Sequence, residues 1–105
     1  MISKNIKLNN EILNYIVKIG FEELQRIDLR NNNISDIKEF DNINCNKIKY
    51  LSLSWNKISD ISVFEKVNFK ELEDLYLEGN KISDIKVLEK VKFEKLKFLD
   101  YMVIE

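Results

Sequence analysis

The sequence predicts an α/β fold: a curved solenoid wound as a right-handed coil. Short parallel strands line its concave face, and short helices or 3₁₀ turns line its convex face. Three observations carry this reading. The stretches LQRIDLRNNNISDI from Leu24, IKYLSLSWNKISDI from Ile48 and LEDLYLEGNKISDI from Leu72 align without gaps at a strict spacing of 24 residues. Each follows LxxLxLxxNxIxxI, whose closely spaced apolar pair points the same way from a strand. After the asparagine the apolar spacing changes to about three, which suits tight turns returning across a core. Self-similarity at a fixed period is the signature of stacked units that bury one continuous core.

Residues 1–23 read as an N-terminal helical cap. Asn9 or Asn10 begins the helix, with Glu11 in its first turn. Lys18 lies in its last turn, and Gly20 follows as the residue that ends it. Ile12, Leu13, Ile16, Val17 and Ile19 give it an apolar face to cover the first repeat.

The repeats occupy 24–47, 48–71 and 72–95. Their strands contribute Ile27 and Leu29, Leu51 and Leu53, and Leu75 and Leu77 to the core. Their return halves contribute Phe40, Ile43 and Cys45, then Phe64, Val67 and Phe69, then Leu88, Val91 and Phe93. Cys45 shares its slot with two phenylalanines and reads as a small core residue. Ser35-Asp36, Ser59-Asp60 and Ser83-Asp84 are placed to cap the return turns. Asn32, Asn56 and Asn80 form a structural ladder. An amide in a tight turn satisfies backbone groups of its own and the adjacent coil that would otherwise be buried unpaired.

Residues 96–105, LKFLDYMVIE, begin a fourth unit and stop after its strand. A terminal parallel strand presents unpaired backbone groups. Here it also presents Phe98, Tyr101, Met102 and Ile104. Three arrangements satisfy such an edge: pairing with a second copy, capping by a partner, or continuation in a longer protein of which this is a fragment.

On these motifs the chain resembles the leucine-rich repeat family over roughly residues 21–101. The short unit with its NxISDI segment looks like the subtype of the type-1 phosphatase regulatory subunit and bacterial internalins. The resemblance implies a non-enzymatic module for protein–protein recognition, an adaptor without a cofactor.

Composition narrows the function from another side. The 105 residues hold 17 basic and 18 acidic side chains, a net charge of −1. That gives no general attraction to phosphate backbones, so nucleic acid is not an expected partner. No histidine and one cysteine exclude the common zinc sites and the Ser-His or Cys-His nucleophiles. No stretch approaches the run of about 18 apolar residues a membrane helix needs. Polar residues interrupt the N-terminal segment, so no signal peptide is read there. A single cysteine suits a reducing, cytoplasmic setting. The excess of lysine over arginine accompanies abundant isoleucine and asparagine, as coding bias in an AT-rich genome would produce.

The strand positions between the core leucines face outward. They expose Arg26, Asp28 and Arg30; Tyr50, Ser52, Ser54 and Trp55; Asp74, Tyr76 and Glu78; and Phe98 and Asp100. The core does not require Tyr50, Trp55, Tyr76 or Phe98. Adjacent strands lie about 4.8 Å apart, close enough for these rings to meet. Aromatic residues and arginine are enriched in binding hot spots. The expected site is therefore a concave, aromatic-centred surface for a protein partner. Its charge is expected to run from +1 in the first repeat (Arg26, Arg30, Asp28) to −3 in the third (Glu73, Asp74, Glu78).

Catalysis finds no support. The chain contains no GxGxxG, phosphate loop, GxSxG or HExxH. Glu73, Asp74 and Glu78 alternate along one strand without the pattern of a calcium loop, so no metal is expected.

Overall fold

A computed structural model describes residues 24–102. Four short strands form one parallel sheet in the order β1 (Arg26–Asp28), β2 (Tyr50–Ser52), β3 (Asp74–Tyr76) and β4 (Phe98–Asp100). Register repeats the sequence period without slippage. Arg26 pairs with Tyr50, Tyr50 with Asp74, and Asp74 with Phe98. One row on, Ile27, Leu51, Leu75 and Leu99 align, and after them Asp28, Ser52, Tyr76 and Asp100. Backbone bonds carry the pairing beyond the strands, as in Leu29 N–H to Ser52 O (2.9 Å) and Trp55 N–H to Glu78 O (2.8 Å).

The return segments are the 3₁₀ helices η1 (Lys38–Asn42) and η2 (Ser62–Glu65) and the single-turn helix α1 (Val87–Lys90). Aspartate, rather than the serine before it, organises each start. Asp36 Oδ1 accepts from Lys38 N–H at 2.9 Å, Asp60 Oδ1 from Ser62 N–H at 2.8 Å, and Asp84 Oδ1 from Lys86 N–H at 3.1 Å. Such Asx turns bend the chain into the start of each return segment, 3₁₀ or α alike. The Ser83 hydroxyl instead donates to Ser59 O of the preceding coil.

Between sheet and returns lies one apolar core. Ile48, Leu51, Leu53, Ile58, Leu72, Leu75 and Leu77 are completely buried. Phe64 sits among aromatic neighbours, edge-on to Phe40 (6.4 Å) and Phe69 (5.3 Å), with Phe93 stacked beyond Phe69 at 6.0 Å. Cys45 is buried in the same core. Burial relaxes toward the last coils: Ile85, Val91 and Phe93 of the third return and Leu96 and Leu99 of the fourth unit are only partly covered.

The asparagines join successive coils. Asn56 Oδ1 accepts from the N–H groups of Asn32 (2.9 Å) and Ile34 (3.0 Å). Its amide donates to Leu29 O (3.0 Å) in the preceding coil and Leu53 O (2.8 Å) in its own. Asn80 repeats the arrangement one coil later, accepting from Ile58 N–H and donating to Leu53 O and Leu77 O. Among the described residues every buried side-chain nitrogen and oxygen has a hydrogen-bond partner. The helical cap expected over 1–23, and Ile104 at the terminal edge, lie outside the described residues.

Candidate functional site

The outer sheet face carries a continuous aromatic file. Arg26 places its guanidinium carbon 3.6 Å from the centroid of the Tyr50 ring, its register partner on β2. Tyr50 and Tyr76 are tilted at 5.4 Å, and Tyr76 and Phe98 at 5.0 Å. The contacts run diagonally, because Tyr50 and Phe98 share one register row while Tyr76 lies two residues further along its strand. Diagonal neighbours remain within reach of aromatic side chains. Each ring contact of this kind contributes about 0.5–1.5 kcal/mol beyond area burial.

Carboxylates and arginine border the file. Arg30 grips Asp28 bidentately, Nε to Oδ1 and Nη2 to Oδ2, both at 2.9 Å. Burial would raise the Asp28 pKa, but the hydrogen bonds and charge of Arg30 outweigh it and hold the carboxyl below its ordinary value. At the other end Glu78 lies diagonally across from Asp100, two residues beyond its register partner Tyr76. That neighbouring carboxyl raises the Glu78 pKa, and burial adds to the rise. The Ser54 hydroxyl, donating to Glu78 Oε1 at 2.9 Å, and the charge of Arg30 oppose it.

Trp55 stands beside the file in the turn after β2. It is 55% exposed and has a left-handed backbone (φ 58°). The same repeat position holds Asn31 (φ 59°) and Gly79 (φ 74°) in the flanking coils. Left-handed backbone is readily adopted by glycine and asparagine but is exceptional for a bulky residue.

Most of the outward residues expected from the motif lie on this face: Arg26, Tyr50, Asp74, Tyr76, Glu78, Phe98 and Asp100 are exposed or half-buried. Others are not accessible. Ser52 and Ser54 are fully buried, their hydroxyls linked at 3.4 Å, and Asp28 is buried under its bond to Arg30. A serine among arginine, tyrosine and glutamate neighbours is too short to reach solvent. The charge gradient is also weaker than expected, because Glu73 pairs across coils with Lys97 at 3.0 Å. At the fourth coil Phe98, Tyr101 and Met102 are exposed, Met102 by 74%.

The Glu78–Asp100 contact was not anticipated. Its signal is a diagonal one: Glu78 lies two residues beyond Tyr76, the register partner of Asp100. Among the described residues no group of three or more His, Cys, Asp or Glu side chains is arranged to hold a metal ion. No helix there is long and apolar enough to cross a membrane.

No curated relative matches the chain. The model of the leucine rich repeat matches residues 22–82, which include the first two strands with their returns and the third strand with its asparagine turn. The chain belongs to the leucine-rich repeat family.

Proposed function

We propose that this chain is a non-enzymatic module that holds a protein partner on the concave strand face of a solenoid, with Tyr50, Trp55, Tyr76 and Phe98 as anchors. Trp55 carries this reading. A large ring is kept exposed on a left-handed residue where the flanking coils use asparagine and glycine. One face of the ring covers Gly79, yet the side chain remains 55% exposed, and left-handed strain of this kind clusters at functional positions. Family membership supports the same conclusion, since leucine-rich repeats generally serve as interaction folds. Both arginines are already engaged, on Tyr50 and on Asp28. Orientation of the partner therefore falls mainly to Asp74, Glu78 and Asp100. Capture from the source cell with wild-type and Trp55→Ala/Tyr76→Ala baits tests this. Specific partners should disappear from the variant, and undiminished recovery of all of them by a folded variant would sink the reading.

A second reading assigns assembly to the fourth coil, through pairing with another copy or capping by a partner. Phe98, Tyr101 and Met102 are exposed together there, and β4 has its described pairing on one side alone. Light scattering over a concentration series distinguishes self-association: the mass should rise with concentration, and a constant monomer mass with Tyr101 and Met102 accessible contradicts it.

A further inference from the structure

The two ends of the outer face use the same repeat positions with different chemistry. Asp28 and Asp100 occupy one position, three repeats apart. Each accepts from the N–H two residues ahead: Asp28 Oδ1 from Arg30 at 3.3 Å, and Asp100 Oδ1 from Met102 at 3.2 Å. In the first coil that following residue is an arginine, whose guanidinium neutralises the carboxylate. In the fourth it is an exposed methionine, which cannot. Asp100 is instead a diagonal neighbour of Glu78, which lies two residues beyond its register partner Tyr76, and the Asp100 carboxyl raises the Glu78 pKa. The rings show the same contrast: Arg26 covers Tyr50 at one end of the file, whereas Phe98 at the other is 47% exposed.

We infer that the end of the face bounded by Glu78, Asp100 and Phe98 is a docking slot for an arginine side chain of a protein partner. The guanidinium takes the place that Arg30 fills in the first coil and bridges the two carboxyls, with its flat surface bordered by the Tyr76–Phe98 ring pair. Arginine fits better than lysine because its planar fork bonds carboxylates bidentately and stacks on aromatic rings. The partner is a different protein: this chain has only two arginines, Arg26 and Arg30, and both are engaged within their own face. This inference rests on the protein-binding reading above and specifies part of its chemistry.

The test is amide NMR of the full chain titrated with the blocked tripeptide Ac-Gly-Arg-Gly-NH2, with Ac-Gly-Lys-Gly-NH2 as control. The arginine peptide should shift the amides of Glu78, Asp100 and Met102 saturably, and should bind at least about threefold more tightly than the lysine peptide. Met102→Arg supplies the guanidinium in cis and should weaken peptide binding about tenfold or more. Its site is exposed, so the fold should be retained; Asp100→Asn provides a second variant with the same expected loss. Absence of a saturable shift, equal response to both peptides, or undiminished binding by Met102→Arg would each overturn the slot. Self-association that Arg26→Lys or Arg30→Lys removes would make a second copy the donor and would also overturn it. The tripeptide response and the capture by the Trp55/Tyr76 variant are separate readouts, so failure of the slot is distinguishable from failure of the wider face.

Discussion

The Trp55 indole lies directly over the Cα of Gly79, at the same turn position one coil later. A Cβ on Gly79 would fall 2.5 Å from Trp55 Cε3 and 3.0 Å from Cγ. Gly79 also has φ +74°. Gly79→Ala therefore meets two penalties, a left-handed cost of about 1–2 kcal/mol and displacement of the ring. The variant should unfold at lower urea concentration, and emission from the single tryptophan should move as the indole lifts. Trp55→Ala in the same chain should recover the steric part alone, with a coupling of about 0.5–3 kcal/mol in a double-mutant cycle. Simple additivity would mean that the ring does not rest on this glycine.

The asparagine ladder makes a sharper stability prediction. Asn56 serves the backbone of two coils at once, through Asn32, Ile34, Leu29 and Leu53. Asn56→Ala strands these buried groups, each at about 1–3 kcal/mol where water cannot reach it. The total should exceed the effect of any exposed substitution on the outer face. Hydrogen exchange locates the damage: protection should fall first at the amides of Asn32 and Ile34. Uniform loss across the sheet would instead indicate general destabilisation.

What the sequence revealed and what it concealed divide along physical lines. Strand register and core followed from the repeat, because burial of Ile27, Leu51 and Leu75 on one face permits no slip. The outer face has no such constraint, and motif position alone does not set exposure. Ser52 and Tyr50 both alternate away from the core, yet one is buried among longer neighbours and the other carries a stacked arginine. The contacts that define the face are diagonal between coils, as in Tyr76–Phe98 and Glu78–Asp100, so a reading taken one repeat at a time missed the acid pair.

That pair gives stability a pH dependence of unusual sign. The Glu78 pKa is raised in the folded chain above its ordinary 4.5, so the native state holds this proton more tightly than the unfolded chain. Its contribution is complete below the unfolded pKa and is lost as pH rises through the folded one. Asp28 behaves oppositely: its pKa is lowered from 3.8, so its contribution exists above that value and disappears as pH falls through the folded pKa. Urea unfolding from about pH 3 to about pH 7 separates them. Glu78→Gln should flatten the loss on the neutral side, and Asp28→Asn the loss on the acid side. Profiles parallel to wild type in both variants would contradict the assignment.

Cys45 reports on the core. Burial pushes its thiol up to about 12, so near neutrality almost none is thiolate. A disulfide reagent should leave the native chain unlabelled and react at a rate set by opening. Labelling should therefore accelerate with urea in step with loss of structure. Asn56→Ala should label faster than wild type under native conditions, since weakening the coil junction raises the open population. Rapid labelling of the folded wild type would place the thiol outside the core.

Trp55 sets stability against recognition. Its left-handed backbone costs a bulky residue about 1–2 kcal/mol, and the neighbouring coil fills the position with Asn31 at nearly the same φ. Trp55→Asn should therefore keep the turn and relieve strain, but it also removes the ring that covers Gly79. The net change in unfolding free energy should be small, within about 1 kcal/mol of wild type. Partner capture should still fall about tenfold or more if the exposed indole is an anchor, since truncating a hot spot costs at least about 2 kcal/mol. Measuring both quantities on one variant separates recognition from folding. A variant that melts early and binds weakly would make Trp55 a structural residue. One that melts with wild type and binds equally well would remove it from the interface.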